Sequence, residues 1–139
     1  MMTYRLKEEN LDPIVSQFKN SIKNGVVILK GDLAAGKTTL VKAVVKALGG
    51  SDEVTSPTFS LQQVYDNDIY HYDMYNHGLE HFISLGMLEE LDKKGLHFVE
   101  WGDDELLEIL KDAEIPVVVI EIAKTSTDER EYKVNDAYA

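Results

Sequence analysis

The chain contains no cysteine. Disulfides, thiolate metal sites and cysteine nucleophiles are excluded together. Arginine is almost as scarce. Arg5 and Arg130 are the only two among 14 basic residues, set against 25 acidic ones, for a net charge of −11 over 139 residues. A surface that tracks nucleic-acid phosphates needs clustered cations, so strong direct nucleic-acid binding is not expected. A compact anion site built from backbone N–H groups and one lysine remains open. Long apolar runs are also missing. Pro116-Val-Val-Val-Ile120 is far too short to cross a membrane. The segment Met1–Glu9 carries Arg5, Lys7 and Glu8 and no apolar core of signal-peptide length. A cytoplasmic location without membrane contact is therefore expected.

No repeat of 20–50 residues and no low-complexity stretch occurs. The length suits one domain, residues 1–139. Thr3–Leu6 reads as a short edge strand. Asp12-Pro13 opens a helix carrying Ile14, Phe18 and Ile22, which Gly25 ends. Gly25–Leu29 is a continuous apolar run, the pattern of a strand buried on both faces. A second helix carries Leu40, Val44, Val45 and Leu48 and stops at Gly49-Gly50. Leu61–Tyr65 and Ile69–Tyr72, split by Asp66-Asn67-Asp68, read as an antiparallel hairpin. Short helices follow around Leu79–Ile83 and Met87–Leu91, then a buried strand at Leu96–Val99. Asp103 reads as the cap of a helix carrying Leu106, Leu107 and Leu110. Val117–Ile122 reads as a central strand and Glu131–Tyr138 as a final edge strand. This order, with Gly31-x4-Gly36-Lys37-Thr38 between a buried strand and a helix, predicts an α/β fold of P-loop NTPase type. Its sheet is mixed and mostly parallel, with helices on both faces and one antiparallel hairpin.

Between the first buried strand and its helix lies Gly31-Asp32-Leu33-Ala34-Ala35-Gly36-Lys37-Thr38, followed by Thr39. The spacing Gly-x4-Gly-Lys-Thr between a strand and a helix is that of a phosphate-binding loop. Gly31 and Gly36 permit backbone angles that a Cβ forbids, so the loop N–H groups can turn inward around a β-phosphate. Lys37 is placed to span the β- and γ-phosphates, and the Thr38 hydroxyl to bind Mg²⁺. Such a metal site needs a further acid. Asp73 and Glu100 each follow a β-rich run, where a side chain opens on the ligand crevice of an α/β sheet. Either can hold Mg²⁺ directly or through water, Glu100 can instead orient a water, and each can simply cap a helix.

Trp101 is the only tryptophan; stacking on a nucleotide and packing at a strand end both suit it. Tyr65, Tyr70, Tyr72 and Tyr75 cluster without accompanying cations, which favours cross-strand packing over base stacking. His77 and His81 are four residues apart but lack a third metal ligand.

Together these motifs are informative. The loop Gly31–Leu40, then Thr55-Ser-Pro-Thr-Phe-Ser60, His71-Tyr-Asp-Met-Tyr75, Leu85-Gly86 and Phe98-Val-Glu-Trp101 resemble the TsaE (YjeE) family over roughly Gly25 to Ala123. The resemblance implies a bacterial P-loop ATPase of tRNA threonylcarbamoyladenosine biosynthesis that binds ATP and Mg²⁺ and hydrolyses ATP slowly alone. It implies two partner proteins that install threonylcarbamoyl on adenosine 37 of tRNA. It makes Asp73 the essential aspartate, Glu100 the metal-linked glutamate and Trp101 the tryptophan beside the nucleotide, and puts Ser56 and Thr58 in a switch-like loop. Ala34 and Asn76 depart from the family pattern, which has Gly and Arg there. The acidic balance leaves tRNA binding to the partners.

Two other functions compete. A small-molecule or nucleoside kinase needs cations in a lid, and Asp66–Asp92 contains no Lys or Arg. A non-catalytic, nucleotide-gated interaction module uses nearly the same residues as an ATPase.

Overall fold

The computed structural model describes residues 2–7, 9–20, 24–32, 36–50, 62–65, 68–74, 78–126 and 128–136. In chain order the elements are β1 (Met2–Lys7), α1 (Asp12–Asn20), β2 (Gly25–Lys30), α2 (Lys37–Ala47), β3 (Gln62–Tyr65) and β4 (Ile69–Asp73). Then come α3 (Leu79–Ser84), α4 (Met87–Leu91), β5 (Leu96–Glu100), α5 (Asp104–Asp112), β6 (Val117–Lys124) and β7 (Glu129–Asp136).

All seven strands form one sheet in the order β1-β7-β6-β2-β5-β4-β3. The centre is parallel: β2 pairs with β5 and β6, and β4 with β5. The flanks are antiparallel, β3 on β4 at one side and β1-β7-β6 at the other. Strand alternation divides the core between two layers. Val27, Leu29, Phe98 and Ile120 face α1 and α2, meeting Ile14, Phe18, Leu40 and Val44. Val26, Ile28, Val99 and Val119 face the other side, meeting Phe82, Leu91, Leu106 and Leu110 of α3–α5. Because both faces are covered, the central strands read as unbroken apolar runs rather than as alternating ones.

The expected helices on both faces and the hairpin are present, and the Asp103 carboxylate accepts from Leu106 N at 2.9 Å as the cap of α5. The last strand differs from expectation. It lies between β6 and β1 rather than at the edge. Alternation explains this: Arg130 and Tyr132 of β7 are buried on one face, a burial that β1 makes possible by closing the outer side. Ile22, Leu61, Asp66, Asn67, Tyr75 and His77 lie outside the described residues. Among the described residues no helix is long and apolar enough to cross a membrane.

The tyrosines of the hairpin build structure. Tyr70 stacks on His97 with ring centroids 4.3 Å apart. His97 Nε2 donates to the Lys93 carbonyl at 2.8 Å, so Nδ1 is left to accept the Tyr72 hydroxyl, also at 2.8 Å. Gln62 Nε2 in turn donates to Tyr72 at 3.2 Å and to Glu90 at 3.0 Å. Burial is the main cause that pushes His97 below its ordinary pKa of 6.5, with the neighbouring Lys93 acting the same way and its bond to the Lys93 carbonyl and Glu90 opposing. The folded state therefore holds His97 neutral where the unfolded chain takes up a proton. Stability is fully present above pH ~6.5 and falls as the pH drops below that value toward the depressed folded pKa. Denaturant titrations between pH 7.5 and 5.5 check this. His97→Gln keeps polar groups in place and flattens the slope; an unchanged slope contradicts the assignment.

Candidate functional site

Gly31 and Asp32 after β2 and the start of α2 meet the ends of β4 and β5 on the α1/α2 side of the sheet. Gly31 and Gly36 take φ of 153° and 106°, where a Cβ is disfavoured, as the loop pattern requires. Gly36 is the N-cap of α2, and among the described residues no side chain caps the helix. Nor does α2 have an acid in its first turn, whereas each of the other four helices does. An uncapped N-terminus with no acid in its own first turn keeps its backbone N–H groups available to an anion.

Lys37 opens α2 and is 4% exposed. Its Nζ donates to the carbonyls of Gly31 at 2.7 Å and Asp32 at 2.9 Å. The ammonium also lies 4.0 Å from the centroid of the Trp101 ring. Burial lowers the Lys37 pKa, opposed by the negative charges of Glu100, Asp32 and Asp73. Thr38 stands next on the helix, and its hydroxyl donates to Glu100 Oε2 at 2.9 Å. Glu100 is buried at the end of β5, and Asp73 ends β4 directly opposite it in the parallel register. The two acids and the Thr38 hydroxyl are hard oxygen donors, the set that Mg²⁺ prefers.

Trp101 leaves β5 with a left-handed φ of 66°. That conformation costs a non-glycine residue about 1–2 kcal/mol. Its N–H donates to the Leu29 carbonyl at 3.3 Å, so the turn is tied to the end of β2. A cleft of about 450 Å³ opens between Lys30, Gly31 and Asp32 on one side and Trp101–Asp104 on the other. That volume suits a small organic ligand. Lys30 reaches across to Asp104 at 2.6 Å and holds that carboxyl below its usual range.

The residues singled out from sequence thus separate into groups. Gly31, Asp32, Gly36, Lys37, Thr38, Asp73, Glu100 and Trp101 converge at one end of the parallel sheet, and Thr39 follows in the first turn of α2. Leu33, Ala34, Ala35, Ser56, Thr58 and Asn76 lie outside the described residues. Both arginines lie on β1 and β7, with β6 between them and β2. Arg5 is paired with Glu131 there. One participant was not singled out from sequence as a site residue: His71, fully buried, bonds Glu100 Oε2 through Nε2. Its place at the head of the His71–Tyr75 motif, two residues before Asp73 on the same face of β4, was the hint.

Comparison with known proteins agrees with this geometry. The family model described as threonylcarbamoyl adenosine biosynthesis protein TsaE matches residues 5–132. Proteins named tRNA threonylcarbamoyladenosine biosynthesis protein TsaE are similar to the chain. The one from Rickettsia bellii is 31% identical, covering 94% of this chain and 92% of its own length. That of Rickettsia prowazekii is 37% identical over 74% of each chain. That of Treponema pallidum is 43% identical over 58% of this chain, and the match spans 62% of its length, a little under two thirds. The crystal structure of YdiB from Bacillus subtilis superposes with a TM-score of 0.69 at 27% identity, covering 98% of this chain and 86% of that one. The Gly31-x4-Gly36-Lys37-Thr38 sequence between β2 and α2, a parallel centre flanked by antiparallel strands, and a family match over nearly the whole length agree: the chain belongs to the TsaE family of threonylcarbamoyl adenosine biosynthesis proteins.

Proposed function

We propose that residues 1–139 form a single P-loop ATPase domain. It binds ATP and Mg²⁺, turns ATP over slowly by itself, and supports two partner subunits that install threonylcarbamoyl on adenosine 37 of tRNA. The observation that carries this reading is the junction of Lys37, Thr38 and Glu100. A buried ammonium, a hydroxyl and a carboxylate meet at a helix N-terminus that carries neither cap nor acid. The family supplies the pathway, and the names of its relatives supply the modification.

The roles follow from the chemistry of each group. Amides of the loop Gly31–Thr38 and the N-terminal turn of α2 hold the phosphates; Lys37 leaves its two carbonyls to bind phosphate oxygens. Thr38, Asp73 and Glu100 hold Mg²⁺, directly or through water, and Glu100 is also placed to orient the attacking water. Bound Mg²⁺ neutralises charge on the phosphate oxygens. Among the described residues no group of three His, Asp or Glu side chains forms a metal cage. Thr38, Asp73 and Glu100 would hold the cation while leaving room for water, several molecules of which Mg²⁺ commonly keeps. Trp101 covers the nucleotide beside the cleft, and Ser56 and Thr58 belong to a switch-like loop.

Slow turnover follows from arginine placement. Arg5 and Arg130 belong to the antiparallel flank, so no arginine of this chain is placed as a finger on the γ-phosphate. Measuring ATP turnover with Mg²⁺, alone and with both partner subunits and tRNA, tests the reading. The expected result is weak turnover alone and an increase of at least about tenfold in company, since a cation supplied in trans is worth ~10³–10⁵ in other P-loop proteins. An unchanged rate sinks partner dependence, and no turnover in either case sinks the ATPase. The isolated chain, with its net charge of −11, is expected to show no tight association with tRNA in a binding assay at physiological salt.

A further inference from the structure

His71 is fully buried within a strand, yet its ring does not merely fill the core. Nε2 bonds Glu100 Oε2, the same oxygen that accepts the Thr38 hydroxyl at 2.9 Å. The ring is itself held. Nδ1 lies 3.2 Å from the Tyr65 hydroxyl, whose single proton can go to Nδ1 or to Gln63 Oε1 at 2.6 Å. A polar chain thus runs from the P-loop threonine through Glu100 and His71 to β3. The sheet register makes this possible. His71 pairs with Phe98 and Asp73 with Glu100, so alternate residues of β4 and β5 share the face toward α2.

We propose that His71 is a positioning residue: its Nε2–H donates to Glu100 and fixes the carboxylate beside Thr38 before nucleotide and Mg²⁺ arrive. The proposal rests on the reading of Glu100 as a metal-side acid. A glutamate has three side-chain torsions, and at a strand end next to a moving nucleotide it gains from being set in advance. Outer groups that orient metal-binding carboxylates typically contribute 10–100-fold in metal affinity or activity. Burying an imidazole in a β core without such a bond is costly, and an apolar residue would fill the same volume.

The test uses the full chain with ATP and Mg²⁺, reading binding from Trp101 fluorescence. His71→Leu removes the donor and keeps the bulk; His71→Gln returns a donor at the reach of Nε2. His71→Leu is expected to lower kcat about 10–100-fold and raise the Mg²⁺ concentration for half-maximal turnover. ATP affinity in EDTA stays within about twofold, because the loop and Lys37 are untouched. His71→Gln recovers most of the loss. Tyr65→Phe frees the far side of the ring and gives a smaller loss in the same direction, which keeps the test alive if His71→Leu does not fold. Equal turnover and Mg²⁺ dependence in the Leu and Gln variants overturns the proposal, as do losses that follow melting temperature alone. If wild type neither binds nor hydrolyses ATP with Mg²⁺, the reading of the site falls and takes this proposal with it. If wild type is active, Glu100→Gln is not, and the His71 and Tyr65 variants match wild type, the proposal alone falls.

Discussion

Replacing Lys37 with alanine removes tight ATP binding and lowers turnover by about 10²–10³-fold, the scale of one preorganised charge at a reacting phosphate. The size of the effect comes from where the ammonium sits. Lys37 is almost fully buried, held by the Gly31 and Asp32 carbonyls and covered by Trp101. Around it stand Glu100, Asp32 and Asp73, whose charges oppose the effect of burial on its pKa. Without the ammonium, three carboxylates face an incoming triphosphate with no side-chain cation at that point to offset them. Glu100→Gln gives the contrasting result. It keeps a hydrogen-bonding group beside Thr38 and leaves Lys37 in place, so ATP still binds while turnover falls. Isothermal titration and Trp101 fluorescence separate the two. A Lys37→Ala protein that binds ATP like wild type contradicts the assignment, and so does a Glu100→Gln protein with full turnover.

Much of this site was legible in the sequence because its geometry is local. A strand, a glycine loop and a helix in succession leave little choice about where Lys37 and Thr38 lie. Glu100 and Asp73 could be read as strand-end acids because the runs before them, Leu96–Val99 and Ile69–Tyr72, are strongly β-forming. That the two stand opposite each other is a matter of register. Register depends on how β4 and β5 align along the sheet, which no local pattern encodes. The role of His71 was hidden for the same reason: its partner is 29 residues away and becomes visible only when the strands are paired. The misplaced final strand shows another limit. Weak alternation in Glu131–Tyr138 reads the same for an edge strand as for an inner strand covered by a polar neighbour, and β1, which covers it, comes from the other end of the chain.

The alignment that brings Asp73 beside Glu100 depends on a glycine at the opposite end of β5. Gly95, just before β5, has φ of 127°, and a Cβ there would lie 2.1 Å from the Asp68 carbonyl oxygen and 2.9 Å from its Cβ. That carbonyl accepts Leu96 N at 3.0 Å, the bond that starts the β4–β5 pairing. Gly95 also joins β5 to β2: its N–H donates to Asn24 and its carbonyl accepts Gly25 N. Gly95→Ala therefore combines a forbidden backbone angle with a clash against backbone that cannot yield like a side-chain tip. Each source of strain costs about 1–3 kcal/mol, so a loss of ~3 kcal/mol is expected. For a domain of this size that lowers the melting temperature by about 10 °C. Calorimetry measures the shift, and a variant within a degree or two of wild type contradicts the account. A further consequence distinguishes this position from an ordinary core site. Relief of the clash pushes β4 and β5 apart at their common start, which shifts Asp73 relative to Glu100 at their common end. Below its melting temperature the variant therefore needs more Mg²⁺ for half-maximal turnover than wild type. A cavity in the far layer, such as Leu110→Ala, reduces stability by about 2–5 kcal/mol without that change.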